Sequence, residues 1–424
     1  MKRFLTSVAL LGLAVCVFVA TAAEKEQKKG AKEKGEKART EEAAWAPAVE
    51  PKPLSQQVKK GLGWLAEHQL PSGAWGQGEE SQHMGGGGQL KDTPSVADTS
   101  VAALALVRSG STPGKGPYQS QLLKAVQFVC GQIEESDDDS LYVTDTRGTR
   151  VQSKLGPYID TFMANLFLSE VQNSMPKGKD KKRVKAALKK VLAKIEKNQR
   201  ADGTWGGDGW APTLSQNIAV KGLNRAKQGG FAVGEEVLQR SEKYSREQFD
   251  RKTGDFDSSG TAGVALYGAA SSLGAMNDSV NTGKQRKPEL QQMVAAPSTS
   301  AEDRKKAKDT LKRIEEAESD RDAAAEAVVA KLDDKQFIAG FGSNGGEEFL
   351  SYMNIGESLV VKGGDAWKAW DKSITENLNR VQNADGSWSG HHCITGRTFC
   401  TSASLLVLMV DRTPVPIATK IGRR

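Results

Sequence analysis

Two kinds of apolar pattern alternate along the chain. In stretches such as Val184, Leu188, Val191, Leu192 and Ile195, apolar residues recur at three- and four-residue steps with charge between them, which predicts a helix with one buried stripe. Elsewhere charge is nearly absent and Ala, Gly, Ser and Thr abound: VADTSVAALAL (96–106), YIDTFMANLFL (158–168), TLSQNIAVKGL (213–223), SSGTAGVALYG (258–268), SYMNIGESLVV (351–361) and TFCTSASLLVL (398–408). A helix that is apolar all round is buried, and small residues let it approach its neighbours closely. The first set is therefore expected outside the second, and pairing them in chain order gives six helix pairs.

A recurring turn joins the members of a pair. KKGLGWLAEHQLPSGAWGQG (59–78) carries Gln69, Gly73 and Trp75, and NQRADGTWGG (198–207) and VQNADGSWSG (381–390) keep the order Gln, three residues, Gly, one residue, Trp. DRKTGDFDSS from Asp250 has Phe256 in place of Trp, and DKQFIAGFGSN from Asp334 is a weaker copy. Gly permits a sharp exit from the outer helix. Trp is a large apolar plug between repeats, and Gln can bond the free backbone groups of the adjoining turn. Together they read as a structural staple. Repeats of this kind predict an all-α fold, an (α/α)6 toroid spanning 54–412.

One interval departs from the rhythm. Gly260 and Met353 are 93 residues apart, against 45 to 62 elsewhere. The excess, a polar loop (Asn277–Ser300) and a charged helix (Ala301–Leu332), predicts a charged helical insertion over 276–333, either a prop on the flank or an arm over one end.

The chain ends and the charge add a compartment. Lys2 and Arg3, an apolar run from Phe4 to Ala20 and the small residues Ala20-Thr21-Ala22 predict a signal peptide over 1–22, and hence an exported protein of the periplasm or cell envelope. Residues 23–53 read as a disordered charged linker and 413–424 as a tail. No later run approaches the ~20 apolar residues of a membrane span, so no transmembrane segment is expected in the mature chain. The formal charge of +7 concentrates in Lys177–Lys197, where ten Lys or Arg face only Asp180 and Glu196. This is a solvated face or a contact for an anionic surface; without interleaved aromatic residues it does not suit nucleic acid.

Lys60-Gly61-x-x-Trp64-Leu65-x-x-x-Gln69-x-x-x-Gly73-x-Trp75 resembles the QW repeat of squalene-hopene cyclases and related class II terpene cyclases, whose α/α toroid is shared with the β subunits of protein prenyltransferases. The resemblance implies the toroid. It does not extend to the chemistry: where such cyclases carry the proton-donating Asp of Asp-x-Asp-Asp, Ser95-Val96-Ala97-Asp98 has Ala97, and the zinc-binding Asp-x-Cys of the transferases does not occur. Neither activity is expected, and no cofactor. The expected function is binding of an apolar, isoprenoid-like molecule or of a cell-envelope component, within a cavity lined by Phe162, Phe167, Leu223, Tyr267, Tyr352 and Phe399.

The candidate chemistry lies where the inner helices begin. Aligned columns bring Asp98, Thr99, Asp160, Thr161, Gln216, Asn354 and Thr401 to this end, and these together with the cavity-lining Tyr352 are the candidate ligand-binding residues. Asp98 and Asp160 are either helix caps or a carboxylate pair about 10 Å apart, as in an inverting glycosidase. SGHHCITGRTFCTS (389–402) is the densest reactive cluster. Cys393 and Cys400 suit a disulfide, free thiols, or with His391 and His392 a metal site. The alternative function is thus an enzyme, glycan-active or cyclase-like, with Asp98, Asp160, His391 and His392 as catalytic candidates.

Overall fold

The computed structural model describes residues 45–80, 90–342 and 344–417. The predicted signal peptide, most of the predicted linker and the last residues of the tail lie outside them. The described chain is mostly helical. Its helices are α1 (Gln56–Glu67), α2 (Val96–Arg108), α3 (Gln119–Glu135), α4 (Arg150–Leu155), α5 (Ile159–Val171), α6 (Lys179–Lys197), α7 (Pro212–Gln228), α8 (Glu235–Glu247), α9 (Ala265–Ala295), α10 (Ala301–Val329), α11 (Lys335–Ala339), α12 (Gly346–Lys362), α13 (Gly364–Arg380) and α14 (Arg397–Leu408).

Burial follows the two apolar patterns. Every residue of α5 is buried, as is α2 from Val96 to Leu106, whereas α6 buries a stripe led by Val184, Leu188, Val191 and Ile195. The charge-poor helices pack in sequence, α2 on α5, α5 on α7, α7 on α9, α9 on α12 and α12 on α14, and α14 packs back on α2. Each remaining long helix lies against one of them: α3 on α2, α6 on α5, α8 on α7, α10 on α9, α13 on α12 and α1 on α14.

The repeated turn is built as its residue types require. The Gln69 amide donates to Gly73 O (2.8 Å) in its own turn and to Gln121 O (2.9 Å) on α3. Gln199 does the same with Gly203 O and, on α8, Val237 O, and Gln382 with Gly386 O (2.8 Å) and Gln57 O (2.9 Å) on α1. Each Gln therefore ties its turn to the next outer helix, and Gln382 ties the last pair to the first. Gly73, Gly203 and Gly386 have φ of +87°, +90° and +94°, and a Cβ on Gly203 would lie 2.4 Å from Arg240 O. Only glycine satisfies both the turn and that approach. Trp75, Trp205 and Trp388 are buried, each donating its indole N–H to a carbonyl ten residues back, of Leu65, Ile195 and Leu378.

The centre of the inner bundle is filled. Val101, Met163, Ile218, Leu350 and Leu406, from five helices, surround a void of about 10 Å³, near the minimum for one water. That is far too small for the isoprenoid-like ligand expected from the sequence. The residues expected to line a central cavity are instead packed: Phe162, Phe167, Leu223, Tyr267, Tyr352 and Phe399 are each at most 1% exposed. Beside the void, three cations and three anions pair in the interior. Lys221 Nζ lies 2.9 Å from Asp278 and 2.6 Å from Glu357, and Arg108 Nη2 lies 2.8 Å from Glu170 and 3.3 Å from Glu357; Arg225 approaches Glu170 and Asp278. Burial pushes Glu357 up, but Lys221, Arg108 and Arg225 outweigh it and hold the carboxyl at about 2.

Two boundaries differ from expectation. The polar run after Asn277 is not a loop, because α9 continues to Ala295 and only 296–300 turn the chain into α10. Its first polar residues are interior ones with partners: Asn277 accepts from Arg321 and Thr282 from Gln228. α10 packs along α9 in the place of an outer helix, so 276–333 is an elongated pair rather than an insertion between pairs. The folded part also starts before residue 54 and continues past 412, since Trp45–Pro47 pairs antiparallel with Pro414–Pro416.

Candidate functional site

The residues singled out where the inner helices begin are mostly caps and braces. Thr99 and Thr401 accept the backbone N–H of Trp75 and Trp388 (both 2.9 Å), and Gln216 accepts that of Trp205 (3.2 Å). Thr161 donates to Leu141 O. Each braces the turn or loop before its helix. Asn354 is buried against Gly274. Ser95 caps α2 and donates to the Asp98 carboxyl (2.7 Å), while Asp160 accepts from the Ala97 N–H (2.9 Å) and from Gln152 (2.7 Å). Asp160 thus caps the neighbouring helix. Both carboxyls are almost fully buried, 0% and 2% exposed, which sets them apart from a glycosidase pair flanking an open site.

A second pair of carboxyls completes this cluster. Glu347 accepts from Ile394 N–H (3.2 Å), and Glu348 accepts from Tyr267 O–H and from Phe341 and Gly345 N–H, with His392 Nε2 3.5 Å away. Burial pushes Asp98 up to about 7, reinforced by Asp160, and burial with the charge of Glu348 pushes Glu347 to about 8. Neither glutamate was picked out from the sequence. The sequence pattern puts the start of the fifth inner helix at 351, whereas α12 begins at Gly346, and the preceding turn lacks the Trp of the turns at 75, 205 and 388.

Cys393 and Cys400 are free and buried, not a disulfide. The Cys400 thiol donates to Ile394 O (3.3 Å), and burial raises both thiols, Cys393 to about 11. Among the described residues no group of three His, Cys, Asp or Glu is placed to hold a metal, so His391, His392, Cys393 and Cys400 do not assemble one.

The open site lies beside this cluster. A cleft of about 850 Å³ runs between the segment around α11 and the flank of α13, the size of a small-molecule or oligomer site. Ile338, Tyr352, Trp370 and Ile374 give it an apolar floor, with Tyr352 and Trp370 edge to face at 5.9 Å and the Tyr352 O–H held by Ile338 O (2.6 Å). Asn344, Asn377, Arg380 and His391 supply polar groups on the rim. From His391 the surface continues through His392 to Phe341 and then Trp210, with successive ring centroids 6.4, 5.1 and 5.7 Å apart. Phe341 is 51% exposed and Trp210 38%, unusually open for such side chains, and Lys154 Nζ stands 5.2 Å from the Trp210 ring.

Of the sequence candidates, Tyr352 and His391 line the cleft and His392 lies on the aromatic surface beside it, whereas Asp98 and Asp160 are buried and do not line it. Trp370, Phe341 and Trp210 were missed; a Trp and a Phe in Gly-rich turns were the available signal.

No protein-family profile matches the chain, and no curated protein matches it. Among solved structures, a polysaccharide lyase aligns over 84% of this chain and 95% of its own, at 11% identity and a TM-score of 0.43. A likeness this distant carries no weight for fold or activity.

Proposed function

We propose that the six pairs form a closed α/α toroid whose cleft and aromatic surface bind a glycan chain outside the cytoplasm. The return of α14 to α2 and the Gln382 bond to α1 support the closure. The apolar run at 4–20 supports export. The observation that carries the glycan assignment is the aromatic surface that leads from His391 at the edge of the cleft through His392 to the exposed Phe341 and Trp210. Sugar rings present apolar faces to aromatic side chains and hydroxyls to planar polar groups such as Asn377 and Arg380. A rim open to solvent accepts a polymer, which an enclosed pocket would not.

A panel of neutral and acidic oligosaccharides, read by tryptophan fluorescence and by melting temperature, tests this. At least one should bind, and Phe341→Ala and Trp210→Ala should each weaken it about tenfold or more, as expected for anchors that supply contact area. Failure of every oligosaccharide in the panel, or affinities untouched by both substitutions, would refute it.

A further inference from the structure

We propose that the solvent face of α6 is an electrostatic docking surface for an anionic lipid bilayer, independent of the cleft. The helix and the residue pair before it carry ten cations, and the structure divides them. Arg183 pairs with Glu134 (2.7 Å), Lys190 with Asp138 (3.0 Å), Lys194 with Asp137 (3.7 Å) and Lys197 with Asp139. The acidic run at the end of α3 therefore neutralises one edge of α6. Lys181, Lys182, Lys185 and Lys189 form no ion pair or side-chain hydrogen bond among the described residues.

At 3.6 residues per turn those four lysines fall in one sector of about 100° on the helix surface. Lys182, Lys185 and Lys189 are exposed, and the exposed residues next to them are Ala186 and Ala193. The face thus has ammonium groups standing above small side chains and no large apolar residue to insert. Lys182 with Lys185 and Lys185 with Lys189 are like charges at three- and four-residue spacing, which destabilises a helix. Lys181 and Lys182 also sit near its N-terminus, where the macrodipole disfavours cations. Asp180 in the first turn offsets part of these costs, but no described residue pairs with the four lysines, and an external anionic layer would. The alanines leave no groove to track a single strand of polymer. A broad layer of phosphate headgroups meets all the lysine tips at once, each contributing to attraction that fades within a Debye length.

The test is co-sedimentation of the protein without its signal segment with vesicles of phosphatidylcholine alone and with about one third phosphatidylglycerol, at low and high salt. Binding should appear only with the anionic lipid and vanish at high salt. The triple variant K182E/K185E/K189E should bind at least about tenfold more weakly, while K306E on α10, whose lysine pairs with Glu302, should bind like the wild type. Circular dichroism and the melting temperature confirm that both variants fold. If the triple variant does not fold, Lys185→Gln and Lys189→Gln singly should each lower binding measurably. No anionic-lipid binding, binding unchanged by the variants, or retention of a soluble acidic polysaccharide without vesicle binding would overturn the proposal. Loss of oligosaccharide binding in the cleft leaves it standing, since the two surfaces share no residue.

Discussion

Gln69 and Gln382 make a matched pair of perturbations. Each amide donates to its own turn at 2.8 Å and to the neighbouring outer helix at 2.9 Å, and both side chains are half-buried. Gln69 joins consecutive pairs, whereas Gln382 joins the last pair to the first. Replacing either by Ala removes two hydrogen bonds to carbonyls. At about 0.5–1.5 kcal/mol net for each bond, with water partly replacing the donor, the cost is about 1–2 kcal/mol. In a closed cycle of helices the two variants should lose the same stability within about 0.5 kcal/mol, because the first and last pairs then hold each other as firmly as adjacent ones. Denaturant unfolding followed by far-ultraviolet circular dichroism measures both, with unchanged m-values as the condition for comparison. A loss above about 1 kcal/mol for Gln69→Ala with essentially none for Gln382→Ala would show that the cycle is not closed in solution.

Trp388→Ala and Trp205→Ala should each cost about 3–5 kcal/mol in the same assay, as for other fully buried aromatic residues; a loss below about 1 kcal/mol at both would contradict their role as plugs. Gly203→Ala should cost at least about 1–3 kcal/mol because the left-handed φ and the Arg240 carbonyl both oppose a Cβ, and a neutral effect would disprove that constraint. Asp98 and Glu347 are raised in the folded state, to about 7 and about 8, well above the ordinary carboxylate range. The folded protein therefore binds more protons than the unfolded chain, and the stability from these groups is full below about pH 4 and falls as pH rises towards 8. Asp98→Asn and Glu347→Gln should flatten this decline in unfolding free energy between pH 5 and 8, and variants whose stability still falls as steeply would show that the decline comes from other groups.

What the sequence made legible follows from repetition. Gln, Gly and Trp recur at fixed spacing because the same turn is built three times, so both the outer and inner helices around those turns were found. The same repetition also aligns polar side chains that have structural partners. Thr99, Gln216 and Thr401 align because each receives a tryptophan N–H, and an aligned polar column in a repeat protein marks shared architecture more readily than a ligand. Where the turn lost its Trp, the register slipped: α12 begins five residues before the expected start, which hid Glu347 and Glu348. The polar stretch after Asn277 reads as a loop in the sequence because its interior partners, such as Arg321, lie far along the chain. The counter-charges of α6 were missed for the same reason, since Glu134–Asp139 come from a different helix pair. The cleft had no local signature, because its floor combines Ile338, Tyr352 and Trp370 from three helices.

The filled centre decides where recognition can occur. Replacing a paired, buried ion cluster by apolar side chains often leaves a protein no less stable, so Arg108, Lys221, Arg225, Glu170, Asp278 and Glu357 are weak evidence for stability as such. What they supply is direction. Glu357 on α12 accepts from Lys221 on α7, from Arg108 on α2 and from Thr413 beyond α14, so one carboxylate fixes the relative rotation of elements from across the bundle. Small residues on these helices would otherwise allow sliding, and a shift of one residue would leave a charge unpaired in the interior. An inner bundle locked in this way cannot open to admit a ligand without breaking several buried ion pairs. The two binding surfaces proposed above, the gap between α11 and α13 and the lysine face of α6, accordingly lie on its outside, where they can vary without disturbing the centre.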